Sequence, residues 1–124
     1  MAKHKRSRDS SARSLGFRGQ RLQQLFRDEL NSILDDEIGD PRLEGTRVTL
    51  VELSRDGSRA RVWFVTTRDG GGAVFREIET ALDRASGFFR SRLCDALPLK
   101  RVPELGFRHD PVAVLSFSQL DESL

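Results

Sequence analysis

A chain of 124 residues, 37% hydrophobic and 32% charged, has the makings of one soluble domain with one modest core and leaves little room for a second. It contains no run of about eighteen apolar residues, so no membrane span is expected, and its basic start MAKHKRSR leads into SSARS rather than an apolar signal core, which points to the cytoplasm. The single cysteine, Cys94, excludes an internal disulfide framework and a multi-thiolate metal site, and its neighbours Leu93, Ala96 and Leu97 suggest a small buried hydrophobe.

The net charge of +2 conceals a segregation: Met1 to Arg27 holds eight Lys or Arg against Asp9 alone, which is +7, and the remainder is −5. Such asymmetry points toward a polyanionic partner, with a solvated tail as the plain alternative. Residues 1–17 are polar, basic and serine-rich without a hydrophobic period, and are expected to form a disordered arm. The folded domain is expected over residues 18–110, with 111–124 as a weakly patterned tail.

Within the domain Leu22, Leu25, Phe26, Ile33, Leu34 and Ile38 recur at three- and four-residue steps, predicting an amphipathic helix that ends in a left-handed cap at Gly39 before Pro41. Asp35, Asp36 and Glu37 crowd its end; adjacent helical positions diverge and make a poor chelate, so solvated charge is expected. "RVTLVELS" and "SRARVWFVTT" are β-branched and aromatic runs, and Asp56-Gly57 between them signals a hairpin. Trp63, on the second run, is either a stacking platform for a base or, more commonly for a lone strand tryptophan, packed beneath a helix. "RDGGG" at 68–72 lacks the lysine and Ser/Thr of a phosphate-binding loop and reads as a linker. From Ala73 to Ala96 the stripe Ile78, Leu82, Ala85, Phe89, Leu93, Ala96 predicts helix across Gly87, a residue that weakens a helix by about 1 kcal/mol relative to alanine. A second stripe, Ala81, Ala85, Phe88 and Arg92, would set a cation beside the core if that helix is straight, whereas a bend would swing Arg92 outward. Leu105 to His109 reads as a third strand.

Cys94, His109 and Asp110 have the residue types of a thiol catalytic set, but no nucleophile motif or glycine turn presents Cys94, and His4 and His109 have no zinc spacing. No catalytic residue or metal site is therefore expected. A cationic face is: Arg84, Arg90, Arg92, Lys100 and Arg101 stand against Asp95 alone between residues 84 and 103, with Ser86 and Gly87 among them. Arginine forks and serine hydroxyls suit phosphate oxygens, and glycine admits close backbone approach, although a solvated helix face would look the same.

The order helix, strand, strand, helix broken at glycine, strand is that of a type II KH domain, an α+β fold with a three-stranded sheet packed on helices. "DPRL" at 40–43, "VELSRDGSRARVWF" at 51–64, "RASGFFRSRL" at 84–93 and "VPELGFRHD" at 102–110 resemble the bacterial ribosome-binding factor A family over roughly Arg18 to Asp110. The resemblance implies a KH-like domain whose loop is replaced by a kink motif, here Ala85, Ser86 and Gly87. It also implies a monomeric, non-enzymatic factor without a cofactor that binds the free or immature 30S subunit and its 16S rRNA, with contacts to ribosomal proteins as a further expectation. Late maturation, processing of the rRNA 5′ end and cold tolerance are the implied context. Arg84, Ser86, Gly87, Arg90, Arg92, Lys100 and Arg101, together with Arg18 and Arg21, are the expected RNA contacts. The rival reading is a protein-interaction module whose acidic patch at Asp35 to Glu44 docks a basic ribosomal protein.

Overall fold

The computed structural model describes residues 16–111, with side chains from Gly19 onward; the arm and the tail after Pro111 lie outside the described residues. In chain order it contains α1 (Gly16–Asp36), a 3-10 turn (Pro41–Leu43), β1 (Thr46–Leu53), β2 (Arg59–Thr66), α2 (Gly71–Arg84), α3 (Ser86–Ala96) and β3 (Glu104–His109). The sheet order is β1-β2-β3, with β1 and β2 antiparallel and β2 and β3 parallel. This is the α+β arrangement expected from the sequence. A tight turn joins the antiparallel pair, and the parallel pair takes the helical crossover α2–α3 because a short loop cannot return the chain in the same direction.

One face of each strand and one stripe of each helix meet in a single core. Phe26, Leu30 and Ile33 from α1, Val62 and Phe64 from β2, Ile78 and Leu82 from α2, Phe89 and Leu93 from α3, and Phe107 from β3 are all at most 2% exposed. Leu30 belongs to this stripe and was missed by the sequence reading, whereas Leu25 is 40% exposed. Helix α1 also stops three residues short of Gly39. The amide of Ile38 donates to the Ile33 carbonyl at 3.1 Å, which closes the last turn without any left-handed residue, and Ile38 then packs against the core. The next turn is fixed by Asp40, whose carboxylate accepts from the Arg42 amide at 2.9 Å and from the Arg42 guanidinium; these bonds hold the Asp40 pKa below its ordinary value and raise that of Arg42.

Buried Asn31 ties α1 to the sheet. Its amide donates to the Val48 carbonyl at 2.9 Å and accepts from the Val48 amide at 2.7 Å, satisfying both backbone groups of the residue where the β1–β2 register slips between Val48 and Leu50. The hairpin is as expected. Gly57 takes the left-handed conformation (φ 74°), and Asp56 gathers the Ser58 amide at 3.0 Å and the Ser58 and Ser54 hydroxyls at 2.8 and 2.9 Å, lowering its pKa to about 2. The glycine linker is shorter than expected, since Gly71 and Gly72 already belong to α2. Arg68, at its start, donates to the Arg42 carbonyl of the 3-10 turn at 2.9 Å and to Glu77 of α2 at 2.9 Å.

Candidate nucleic-acid interface

The helical segment breaks at Ala85. Its φ of −88° and ψ of 0° depart from the helical ψ near −42°, and that change redirects the chain. Ala85 serves both helices: its amide donates to the Ala81 and Leu82 carbonyls at 3.2 and 3.1 Å, and its carbonyl accepts from the Phe89 amide at 3.0 Å. Ile78, Leu82, Phe89 and Leu93 remain buried across the break, with Ala85 half-buried at its corner. Hydrophobic contact on both sides therefore holds the bend.

Gly87 is not the break. It lies in the first turn of α3 with φ outside the left-handed region, and a Cβ built on it would meet nothing within 4 Å. Neither backbone conformation nor internal space asks for glycine there. What its missing side chain leaves is bare backbone on an exposed turn that no side chain caps.

The expected cations fall into different environments. Arg84 is exposed and has no hydrogen bond or ion pair to another described residue, and Ser86 is half-buried beside it. Arg90 donates to the Pro103 and Val102 carbonyls at 3.1 and 3.0 Å, stapling α3 to the approach of β3 while its side of the helix stays exposed. Arg92 swings outward, as the bend requires, but is held by Glu37 just past the end of α1, with Nε 2.7 Å from Oε1. Lys100 and Arg101 are exposed and line an apolar-floored cleft of about 480 Å³ with Leu22, Phe26 and Leu53. That cleft brings them to the amino-terminal half of α1, where Arg21 is exposed and Arg18 occupies the first turns. The break and the cleft are linked through Arg90, whose carbonyl partners directly follow Arg101.

Three expectations need correction. Cys94 is exposed: α3 buries only Phe89 and Leu93, one helical turn apart, so Cys94 and Ala96 fall outside that narrow stripe. Trp63 does not pack beneath a helix. It alternates with the core residues Val62 and Phe64 and so lies on the opposite face of the sheet, where its indole N–H donates to Glu52 at 2.9 Å and Arg61 lies 5.9 Å from the ring. The acidic cluster is not simply solvated, because Asp35 lies 3.7 Å from Arg47 and Glu37 is engaged by Arg92. The His109 ring, for its part, stacks on Phe75 at 3.5 Å and meets Phe64 edge-on at 5.8 Å. Burial depresses the His109 pKa despite nearby Asp110 and Glu79. Among the described residues no cluster of metal-ligating side chains occurs, and no helix is long and apolar enough to cross a membrane.

Sequence reasoning also missed a residue. Phe88, beside Gly87, is 43% exposed, and the Arg92 guanidinium lies 5.6 Å from its ring centre. The signal was present in the i, i+4 spacing of Phe88 and Arg92 once the bend is granted.

A small α+β domain with KH-like element order, whose crossover helix is broken beneath a cationic, glycine-bared turn, is the class these features define. The family profile "Ribosome-binding factor A" matches residues 18–118. This chain belongs to the ribosome-binding factor A family. It is similar to the ribosome-binding factor A of Ruthia magnifica (43% identical over 94 residues, 76% of this chain and 80% of that one) and of Heliobacterium modesticaldum (37% over 95 residues, 77% of each). Among solved structures it resembles the crystal structure of ribosome-binding factor A from Thermus thermophilus, with a TM-score of 0.66 at 26% identity over 73% of this chain and 93% of that one. It also resembles a homology model of the Thermus thermophilus factor fitted into the cryo-EM map of its complex with the 30S subunit, with a TM-score of 0.61 at 28% identity over 76% and 97% of the two chains.

Proposed function

We propose that this chain binds the free or immature 30S subunit through its 16S rRNA, using the turn at the α2–α3 break as the principal contact. The observation that carries the reading is the pairing of exposed Arg84, unengaged among the described residues, with an exposed glycine whose Cβ position is open. A phosphate can approach the backbone at Gly87 within reach of the first-turn amides of α3, the partial positive charge at that helix end and the Arg84 fork. Arg90, Lys100, Arg101 and Arg21 extend the positive surface, and the segregated charge of the first twenty-seven residues adds long-range attraction. Membership of the family, and the relative fitted into a 30S complex, support the small subunit as the target.

On this reading the protein acts as a monomeric cytoplasmic factor without a cofactor. It favours one rRNA conformation over another through binding alone, and thereby supports late maturation, 5′-end processing and growth in the cold. Co-sedimentation tests it: the protein should travel with free small subunits and not with assembled ribosomes, and Arg84→Glu should release it. With about five cations on phosphates, the logarithm of the affinity for single-stranded rRNA should fall against log salt with a slope near −3 to −4. Affinity independent of salt, or full binding by Arg84→Glu, would overturn the assignment.

A further inference from the structure

We infer that Phe88 and Arg92 together form a stacking platform for one unpaired RNA base, so that the break reads a single-stranded nucleotide rather than a duplex. The inference rests on the RNA reading above and adds to it the form of RNA that the break accepts.

Three observations converge on it. Phe88 follows the bare backbone of Gly87 directly and leaves 43% of its surface to solvent, although the next residue, Phe89, is 1% exposed. The chain thus commits one of two adjacent aromatic rings to the core and turns the other outward, which forgoes the contribution of burial. Arg92, one helical turn further on, places its guanidinium 5.6 Å from the Phe88 ring centre. Glu37, one residue past α1, then fixes that guanidinium through its Nε at 2.7 Å and through its terminal nitrogen.

This last contact changes what Arg92 can do. Its charge is largely answered by Glu37, so it is a poor phosphate ligand, yet its plane is immobilised beside an exposed aromatic ring. Planar guanidinium and phenyl groups are the two surfaces on which splayed-out bases stack. A base lying there has its phosphates within reach of the Gly87 turn, Arg84 and the exposed side of Arg90, whereas a paired base is already stacked on its neighbours and cannot lie flat on the ring. The cationic surroundings favour a nucleotide over an apolar protein side chain as the occupant of Phe88.

The test compares the full-length protein and its variants on two RNAs of equal charge, a short single strand carrying a central 2-aminopurine and a fully paired blunt-ended duplex. The wild type should bind the single strand more tightly and change the 2-aminopurine emission. Phe88→Leu keeps the apolar bulk but removes the π face; it should lose about tenfold in affinity for the single strand, with duplex binding unchanged. Phe88→Trp should restore or exceed wild-type affinity, and near-identical melting temperatures would show that both variants fold. Arg84→Glu should weaken binding of both RNAs. Equal single-strand binding by wild type and Phe88→Leu, alongside loss in Arg84→Glu, would overturn the platform and leave the phosphate contact standing. Retained binding by Arg84→Glu would count against the phosphate reading itself. Parallel loss on both RNAs in Phe88→Leu, or loss of subunit binding without loss of RNA binding, would also overturn the platform, the latter assigning Phe88 to a ribosomal protein.

Discussion

Replacing Gly87 with alanine should separate stability from binding. In the folded protein the added methyl group meets nothing within 4 Å, φ is already negative, and the position lies inside an 11-residue helix. Alanine therefore removes conformational freedom from the unfolded chain without straining the native one, a gain of about 0.4–1 kcal/mol. For a domain of this size that corresponds to a rise of about 2–6 °C in Tm by calorimetry or circular dichroism. The α2–α3 bend should persist, because it is made at Ala85. Against RNA the same methyl group stands where a phosphate oxygen is to approach the first-turn amides. Losing one such charge-assisted hydrogen bond costs about 1.5–3 kcal/mol, which is about 10- to 150-fold in affinity for the small subunit. A more stable variant that binds less well is the expected pair of results. A fall in Tm would refute the account of the local backbone, and unchanged affinity would refute the close approach.

Asn31→Leu should destabilise the fold by about 2–4 kcal/mol in urea, since it strands the buried amide and carbonyl of Val48, and a loss below about 1 kcal/mol would show that water replaces the clamp. His109 gives a pH dependence. Its folded pKa lies below the ordinary 6.5, so the unfolded chain takes up a proton that the native state refuses; the stability held above about pH 6.5 should decline as the pH falls through that value. His109→Phe should flatten the Tm profile between pH 7 and 5 relative to wild type, and identical profiles would refute the assignment. Cys94 should be alkylated in the folded protein at nearly its rate in urea, and Cys94→Ser should alter stability by no more than about 0.5 kcal/mol; strong protection in the native state would contradict its exposure.

The elements were legible in the sequence wherever period and punctuation agreed. The Asp56-Gly57 turn, the alternation of β2 and the Ile78, Leu82, Phe89, Leu93 stripe all survive in the fold. What failed were features decided by distant parts of the chain. Gly39 carries a cap signal, but packing of Ile38 against the core closes α1 earlier. Cys94 sits in an apolar neighbourhood in sequence, while α3 offers the core a stripe only one turn long. The cations at the break were read correctly as exposed, but their engagement was not. No local pattern announces that Glu37 and Arg92, fifty-five positions apart, are partners, or that Arg90 donates to backbone carbonyls of residues 102 and 103.

That engagement sorts the basic residues by role. A cation already bonded to carbonyls or carboxylates gives up part of its attraction for a phosphate and gains a fixed orientation, whereas an unengaged one keeps its reach at the expense of side-chain entropy on binding. Among the described residues Arg84 and Lys100 have no hydrogen-bond or ion-pair partner and are of the second kind, so they should govern affinity and its salt dependence. Arg92 is of the first kind, so its removal should act through the position of Phe88. Arg92→Ala should accordingly lower single-strand affinity with little change in the salt slope, while Lys100→Ala should make the slope shallower by about 0.7 with little effect on preference between paired and unpaired RNA. If both variants changed the slope equally, the two cation environments would be structurally distinct but functionally the same, and the contact at the break would be one of charge alone.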